Sequence, residues 1–485
     1  MCDILICALP VSALNYAPAA PALLKACVEK AGFSASTIDL SQSFYIEISN
    51  RDFAQYSEDT KFLLPNHEYD KDSDTKVNLW LAQSIDKIKA KNPRYVALSI
   101  FSYFMQRSAY LLAKEIRKHC PTAKIILGGF GLTQASSSLK NLDNFKNIDL
   151  IKPFNQFMQE QGLVDHNIIG EGEDALVSLL QDNIPVVDSM DDLYNVPISN
   201  FSDYNLIDYD YVSQIVLPIT GSKGCVRQCT FCDIPKKFGK FKYRSGKHIA
   251  EEIIYLKQQY NVQSFSFTDS LINGSLKALK ELVTELANYN ASVDADQRIR
   301  WNGQYISRPR GQMPEYLYEL MAQSGAEGLT IGMESGSNAV LEAMNKKVKI
   351  EDVNYEMELF EKYNISTVLL FIIGFYNETY DNFLETIDTI IRYQKYVANG
   401  TVIRMDLGHP LAITNETALY DRAHELGINL DLLNPNLWTS DNNPELTLKE
   451  RIRRRLIAQI VCDRLGIPTG LSAYNLKSIL NTLNG

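Results

Sequence analysis

The stretch "GSKGCVRQCTFCDIPKKFGKFKYRS", residues 221–245, gathers Cys225, Cys229 and Cys232 within eight positions of a 485-residue chain that has eight cysteines in all. Three thiols spaced C-x-x-x-C-x-x-C can wrap one metal centre from a single loop. Structural zinc needs a fourth ligand to close its tetrahedron, and the nearest histidine, His248, lies sixteen residues past Cys232. A [4Fe–4S] cluster has four irons, so three cysteines leave one iron open to a substrate or cofactor. The spacing therefore fits an open cluster better than a closed zinc site. The loop follows a strand-like run, "QIVLPIT", and leads into a basic segment, "PKKFGKFKYR" (235–244), suited to lie near an anionic ligand.

Beyond the loop come four apolar runs of strand length: "SFSFTD" (264–269), "IRWNGQYIS" (299–307), "GLTIGMESG" (328–336) and "TVLLFIIGF" (367–375). Each is followed by a helical stretch such as "GSLKALKELVTELANY" or "NYEMELFEKYN". That rhythm predicts a partial β/α barrel over 213–410, with its chemistry at the strand C-termini. The region 411–485 reads as mostly helical, "TLKERIRRRLIAQIVCDRLG" being its clearest helix, and "KERIRRR" (449–455) reads as a solvated face.

Before the loop, residues 1–181 alternate strands and helices as well. "DILICALP" reads as a buried strand, "APALLKACVEKAGF" as a helix closing on Gly32, and "SASTIDL" as a second strand. "YVALSIF", "AYLLAKEIRKHC", "KIILGGF" and "HNIIGEGEDALVSLLQ" continue the pattern. Continuous apolar strands between amphipathic helices imply a parallel sheet covered on both faces. Ligands on such sheets sit beyond the strand C-termini. Residues 41–80 read as an inserted loop or short helices, and the Asp, Asn, Ser and Pro of 182–212 read as a linker.

Composition narrows the partners. A formal net charge of −10 argues against a general electrostatic grip on nucleic acid. No apolar run approaches the ~18–20 residues of a membrane span. The start "MCDILICALP" has neither a basic region nor a small-residue cleavage site, so a cytoplasmic location is expected. There thiols stay reduced, and clustered cysteines suggest metal or redox chemistry before disulfides. Cys2, Cys7, Cys27 and Cys120 have no cluster-like spacing and read as core residues.

On these residues the chain resembles the radical SAM superfamily, in which C-x-x-x-C-x-x-C with an aromatic before the last cysteine holds a [4Fe–4S] cluster. The resemblance implies Cys225, Cys229 and Cys232 as ligands, Phe231 near the adenine of S-adenosylmethionine (SAM), and cleavage of SAM to a 5′-deoxyadenosyl radical. "GLTIGMESGSNAVLEAMNKK" resembles the fourth-strand signature, with Glu334 toward SAM polar groups. "LLFIIGFYNETYDNF" resembles the fifth-strand element, keeping Gly374 and Glu378 while Tyr376–Asn377 replaces Pro-Gly. "FSFTDSLINGS" resembles the second-strand element, with Asp269 kept and Ser270 in place of a second acid. "WNGQYISR" resembles the third, offering Gln304, Tyr305 and Ser307. No catalytic side chain is assigned by these motifs. An external electron donor of flavodoxin or ferredoxin type is implied.

Residues 1–181 resemble the Rossmann-like, cobalamin-binding domain that precedes the barrel in a large subgroup. Gly128 and Gly129 of "GGFG" would permit close approach to a flat macrocycle. "LPVSALNYAP" and "SIFSYF", with Asn15 and Tyr103, would line it. The D-x-H-x-x-G motif that supplies a lower ligand in some proteins is absent. Methylthiotransferases share this architecture but carry a second three-cysteine cluster near the N-terminus, which is not evident here. The implied fold is α/β: a Rossmann-like parallel sheet, a partial β/α barrel and a helical C-terminal region. The implied activity is cobalamin-dependent methylation of an unactivated carbon in a small molecule or peptide. Two alternatives stand beside it: a radical rearrangement, cyclisation or oxidation with a degenerate first domain, or a non-catalytic iron–sulfur protein. SAM cleavage separates the last from both enzymes.

Overall fold

The computed structural model describes residues 2–64, 74–139, 142, 152–182, 196–209, 214–431 and 434–470. They divide between two compact units, Met1–Pro218 and Ile219–Gly485.

In the first unit, strands β1 (Cys2–Ala8), β2 (Ala35–Asp39), β3 (Pro93–Ser99), β4 (Lys124–Gly128) and β5 (His166–Ile168) form one sheet. Its order is β2-β1-β3-β4-β5, and every pair is parallel. The apolar runs split by parity, as the two-residue repeat of a strand demands. Leu5, Cys7, Val96, Leu98, Ile125 and Leu127 enter one core, together with Trp80, Ile85, Leu112 and Ile116 of the helices Thr75–Lys91 and Gln106–His119. Ile4, Ile6, Tyr95, Ala97 and Ile126 enter the other, with Val28, Leu176 and Leu179 of the helices Ala19–Lys30 and Gly172–Leu180. The sheet is therefore doubly wound, with its topological switch between β1 and β3. The loops leaving those two strands are "LPVSALNYAP" and "SIFSYF".

Residues 40–63 form short helices, Leu40–Glu47 and Phe53–Asp59 among them, while 65–73 lie outside the described residues. Of the stretch read as a linker, 183–195 and 210–212 lie outside them too. Residues 196–209 bind the first sheet. Asp203 Oδ2 accepts from Lys25 Nζ at 2.6 Å and from Thr37 N at 2.8 Å, and Tyr209 OH donates to Asp39 Oδ2 at 3.0 Å.

The chain passes from the first unit to the second within β6 (Val216–Ile219), and a ribbon of β7 (Ser222–Lys223) and β8 (Lys242–Tyr243) follows. The barrel strands that follow are β9 (Ser264–Phe267), β10 (Arg300–Asn302), β11 (Gln304–Tyr305), β12 (Leu329–Glu334), β13 (Thr367–Phe371) and β14 (Val402–Asp406). They run as two sheets, β6-β9-β10 and β11-β12-β13-β14. The pairs β9–β10, β11–β12, β12–β13 and β13–β14 are parallel. Gly303 marks the break between the sheets, where a Cβ would stand 2.8 Å from Ile272 and 2.9 Å from Phe267. This is the partial barrel the strand–helix rhythm predicts.

The tail departs from a mostly helical reading between 411 and 447. Apart from one turn of helix, Ala418–Asp421, that stretch holds the two-stranded β15 (Ile428–Asn429) and β16 (Thr439–Ser440). Its Asn, Asp and Pro favour turns over helix. The helix Leu448–Leu465 is where the sequence puts it, but its basic run is only partly solvated: Lys449 and Arg453 are exposed, while Arg451, Arg454 and Arg455 are at most 2% exposed. Among the described residues no helix is long and apolar enough to cross a membrane.

Candidate cluster and cofactor site

The cysteine loop is pinned at both ends. Ribbon pairing of Ser222 with Tyr243 and Lys223 with Lys242 closes it. Below the ribbon, Gly221 N and Ser222 Oγ donate to the two oxygens of Asp269 at 2.7 and 2.6 Å. Arg244 N donates to Gly221 O at 2.8 Å, and the Arg244 guanidinium meets buried Glu252 at 2.5 Å. Asp269 is thus engaged in anchoring the loop. Burial pushes its carboxyl up to about 7, against the pull of those hydrogen bonds and Arg244.

The loop's far side rests on the turn that ends the helix Asn338–Ala343, which follows β12. Thr230 N donates to Met344 O at 3.0 Å, and Asn345 Nδ2 donates to Gln228 O at 2.7 Å. Cys229 is buried, Cys225 and Cys232 are half-buried, and none of the three is in a disulfide. Burial pushes the Cys232 thiol up to about 11 and also raises Cys229, and each feels the charge of its neighbouring cysteines. Held as thiols they are costly to ionise; a polycationic iron centre is what would hold them as thiolates. Among the described residues no three His, Cys, Asp or Glu side chains are gathered on a single-ion site. Three thiols on one loop are the donor number of an open cluster and one short of a closed all-cysteine zinc tetrahedron.

Glu334 ends β12 beside this loop. It is 7% exposed and sits at φ +66°, a left-handed conformation rare for a side chain of this size, at a register shift between β12 and β13. Its Oε1 accepts from Lys346 Nζ at 2.7 Å. Burial opposes the charge on Lys346, but Glu334 and the facing Cys229 and Cys232 more than offset it, so the ammonium is held above its ordinary value. The same Nζ stands 5.8 Å from the Phe231 ring centre, and Phe231 meets Phe375 edge-on at 6.4 Å. Cysteines, Phe231 and Glu334 therefore share one neighbourhood with Lys346 at its centre. Sequence reading passed over Lys346, although it lies inside the quoted "EAMNKK".

Other candidates stand apart from that neighbourhood. Gly374 N donates to Glu378 Oε1 at 3.1 Å, and the same oxygen meets Arg454 Nη1 at 3.1 Å. Burial outweighs Arg454 and lifts the Glu378 carboxyl to about 7. Gly374 is at φ +82°, and a Cβ there would stand 2.6 Å from Arg451 Cγ. This pair ties the fifth-strand loop to the helix Leu448–Leu465. Gln304 is exposed and Ser307 buried, its carbonyl accepting from Arg227 Nη2 at 3.3 Å. Tyr305 turns into the helical layer, where its hydroxyl donates to Glu356 at 2.9 Å.

In the first unit, Gly129 (φ +110°) crosses so close to Ile100 that a Cβ would collide with its carbonyl. Gly128, beside it at the carboxyl edge, faces open space. Phe101 and Phe104 are 69% and 43% exposed there; Phe101 meets Phe130 edge-on at 6.3 Å, and Tyr103 lies 4.2 Å from Phe104. Asn15 is half-buried on the loop after β1. Open glycine and exposed aromatic rings at a strand-end edge fit a flat cofactor. Cys2, Cys7 and Cys27 are buried in the cores, as expected of packing residues, while Cys120 is half-buried at the end of the helix Gln106–His119, packed against the first core.

Residues 219–390 match the model of the Radical SAM superfamily. The whole chain has the fold of solved radical SAM proteins. It aligns with the radical SAM methyltransferase TsrM from Kitasatospora setae over 94% of this chain and 89% of that one, at a TM-score of 0.63 and 14% identity. OxsB, a cobalamin-dependent SAM radical enzyme, aligns over 96% of this chain and 67% of its own, at a TM-score of 0.62 and 14% identity. Among curated proteins, bacteriochlorophyllide d C-12(1)-methyltransferase of Chlorobaculum tepidum is 30% identical over 36% of this chain. The match spans 38% of that relative's length, and the other curated relatives are covered to a similar extent.

Proposed function

We propose that the protein is a cobalamin-dependent radical SAM methyltransferase acting on an unactivated carbon. The observation that carries the reading is the Lys346–Glu334 pair set against a three-thiol loop at the strand ends of a radical SAM barrel. Cys225, Cys229 and Cys232 would hold a [4Fe–4S] cluster, which when bound supplies the electron that cleaves SAM. Phe231 offers an aromatic face and Glu334 an anionic acceptor for SAM hydroxyl or ammonium groups. Lys346 holds Glu334 in place and keeps a positive charge beside the thiols. The edge around Gly128, Phe101 and Tyr103 would hold cobalamin, the carrier of the methyl group, without a histidine from a D-x-H-x-x-G motif.

The methyltransferase names of TsrM and the bacteriochlorophyllide enzyme support this choice. A small acidic one-electron carrier would reduce the cluster, and the reaction would run in the cytoplasm. One observation favours a second reading, a radical enzyme with a vestigial first domain: Gly129 is required by its crossing of Ile100 whether or not a ligand binds. Hydroxocobalamin distinguishes the two. Mixed with folded, reconstituted protein, it should co-purify near one per chain with a base-off spectrum. If it washes away while SAM is still cleaved, the methyltransferase reading falls and the second stands.

A further inference from the structure

On the reading just proposed, the reacting carbon must lie within reach of the cysteine loop and Glu334, and the barrel strands there present two unlike faces. Residues of one parity, Phe265, Trp301, Tyr305, Ile331, Leu369 and Met405, are at most 2% exposed. They meet the helical layer, as the Tyr305–Glu356 bond and the Trp301 Nε1–Ser324 Oγ bond at 3.1 Å show. Residues of the other parity face inward. The interior of a β/α barrel is ordinarily filled by Val, Ile and Leu. Here that face carries Ser266, Asn302, Gln304, Thr330, Arg404 and Asp406, and none of the six is buried.

Strand register sets these side chains in rows. Gln304 pairs with Thr330, Thr330 with Val368, and Val368 with Arg404. One step nearer the C-terminal edge, Gly332 pairs with Leu370 and Leu370 with Asp406. Gly332 joins this face to the Glu334–Lys346 pair: a Cβ there would collide with Glu334 Oε1 and stand 2.9 Å from Lys346 Nζ. Two strand spacings, roughly 10 Å, separate Gly332 from Asp406. At the other end of the strands, a Cβ on Gly328 would lie 3.9 Å from both Asn302 Cβ and Ile403 Cδ1, which close the floor.

The polar groups of this face are only partly bonded to one another. Ser266 Oγ donates to Asn302 Oδ1 at 2.7 Å. Arg404 Nη2 donates to Asp406 Oδ2 at 3.0 Å, and the Arg404 side chain is 49% exposed. A guanidinium engaged along one edge keeps its other N–H groups for a ligand, and its planar fork matches a carboxylate or phosphate. In the same row Gln304 offers an amide and Thr330 a hydroxyl. A concave site with convergent polar groups takes a ligand whose own polar groups answer them. An apolar molecule would strip water from them without return.

We propose that the inner face of the barrel binds a small hydrophilic substrate through an oxyanion, carboxylate or phosphate, seated on Arg404, while Gln304 and Thr330 bond hydroxyl or amide groups of the same molecule. The probes are [13C]malonate and inorganic phosphate, each observed by NMR line broadening in the presence of the full chain. At least one should broaden with wild type: malonate the more strongly for a carboxylate site, phosphate for a phosphate site. Arg404→Gln should weaken that binding roughly tenfold or more. Arg404→Lys should lose malonate more than phosphate, because an ammonium lacks the planar fork. Thermal unfolding checks that both variants fold; if Arg404→Gln does not, the lysine variant decides, and malonate held by it as tightly as by wild type would overturn the proposal. Equal binding in wild type and Arg404→Gln, or binding of neither probe to wild type, would overturn it too. Cys225→Ala, which lacks a cluster ligand, should bind the probe as wild type does, so a failure to cleave SAM would sink the radical SAM reading and leave this site judged on binding. Loaded wild-type enzyme, given methyl-labelled SAM and a total metabolite extract, should place the label in a product retained by anion exchange. Label recovered only in an apolar, organic-soluble product would also overturn the proposal.

Discussion

At the scale of single residues, Glu334 and Lys346 bear the most weight. A glutamate held at φ +66° is strained, and such strain gathers where a side chain must be aimed. Glu334→Gln should leave iron content intact and weaken SAM binding about tenfold to a hundredfold, as the loss of one charge-assisted hydrogen bond of roughly 1.5–3 kcal/mol implies. Equilibrium dialysis with SAM would check it. Lys346→Met strands a buried carboxylate and should cost about 3–5 kcal/mol in denaturant unfolding, with Lys346→Arg recovering most of it. Asp269 gives a pH signature. Its folded pKa of about 7 lies above its ordinary value of 3.8, so the folded chain binds the proton more tightly than the unfolded chain. That contribution is complete below the ordinary value and is lost as pH rises through about 7. The stability of wild type relative to Asp269→Asn should therefore fall between pH ~4 and ~7 and level off above; a flat difference would contradict it.

At the scale of elements, the helix Leu448–Leu465 is the part whose role the sequence concealed. Arginines at 451, 454 and 455 look like a charged surface because only Glu450 and Gln459, four residues from Arg454 and Arg455, are local partners. The others are distant carbonyls and one distant acid: Arg451 donates to Asn436 O at 2.8 Å and lies 3.7 Å from the Trp438 ring centre, Arg455 donates to Gly408 O at 2.9 Å, and Arg454 meets Glu378. The same helix explains Gly374, which the family pattern suggests for SAM and the packing requires for Arg451. Gly374→Ala should destabilise the second unit beyond the usual glycine-to-alanine gain of ~0.4–1 kcal/mol with its sign reversed, because φ is positive and the Cβ has no room. Thermal unfolding would show a lowered midpoint; an unchanged one would mean the loop moves freely. Strands, by contrast, were legible: "DILICALP", "KIILGGF" and "GLTIGMESG" carry their burial in an unbroken apolar run, so period alone locates them. The split of 300–305 into β10 and β11 was not, since it rests on Gly303 meeting Ile272 and Phe267 from another strand's end.

For the whole molecule, the parallel strands of both units follow from the strand–helix rhythm, and the three thiols follow from their spacing. What spacing cannot give is which motif residues meet. Asp269, Gly374 and Glu378 keep their motif positions yet are occupied by the loop base and the last helix. Phe231, Glu334 and Lys346 converge through a turn that brings residues about 115 apart in sequence together, as the Thr230–Met344 bond illustrates. The central claim is that this loop holds an open cluster that cleaves SAM, and one measurement tests it most directly: iron, sulfide and 5′-deoxyadenosine assayed together on anaerobically reconstituted, dithionite-reduced protein. The account predicts about four irons and four sulfides per chain in wild type, with 5′-deoxyadenosine and methionine released from SAM. It also predicts loss of the cluster in Cys225→Ala, Cys229→Ala and Cys232→Ala but not in Cys2→Ala or Cys27→Ala. Tightly bound zinc with no iron, or a full cluster that leaves SAM intact, would contradict it.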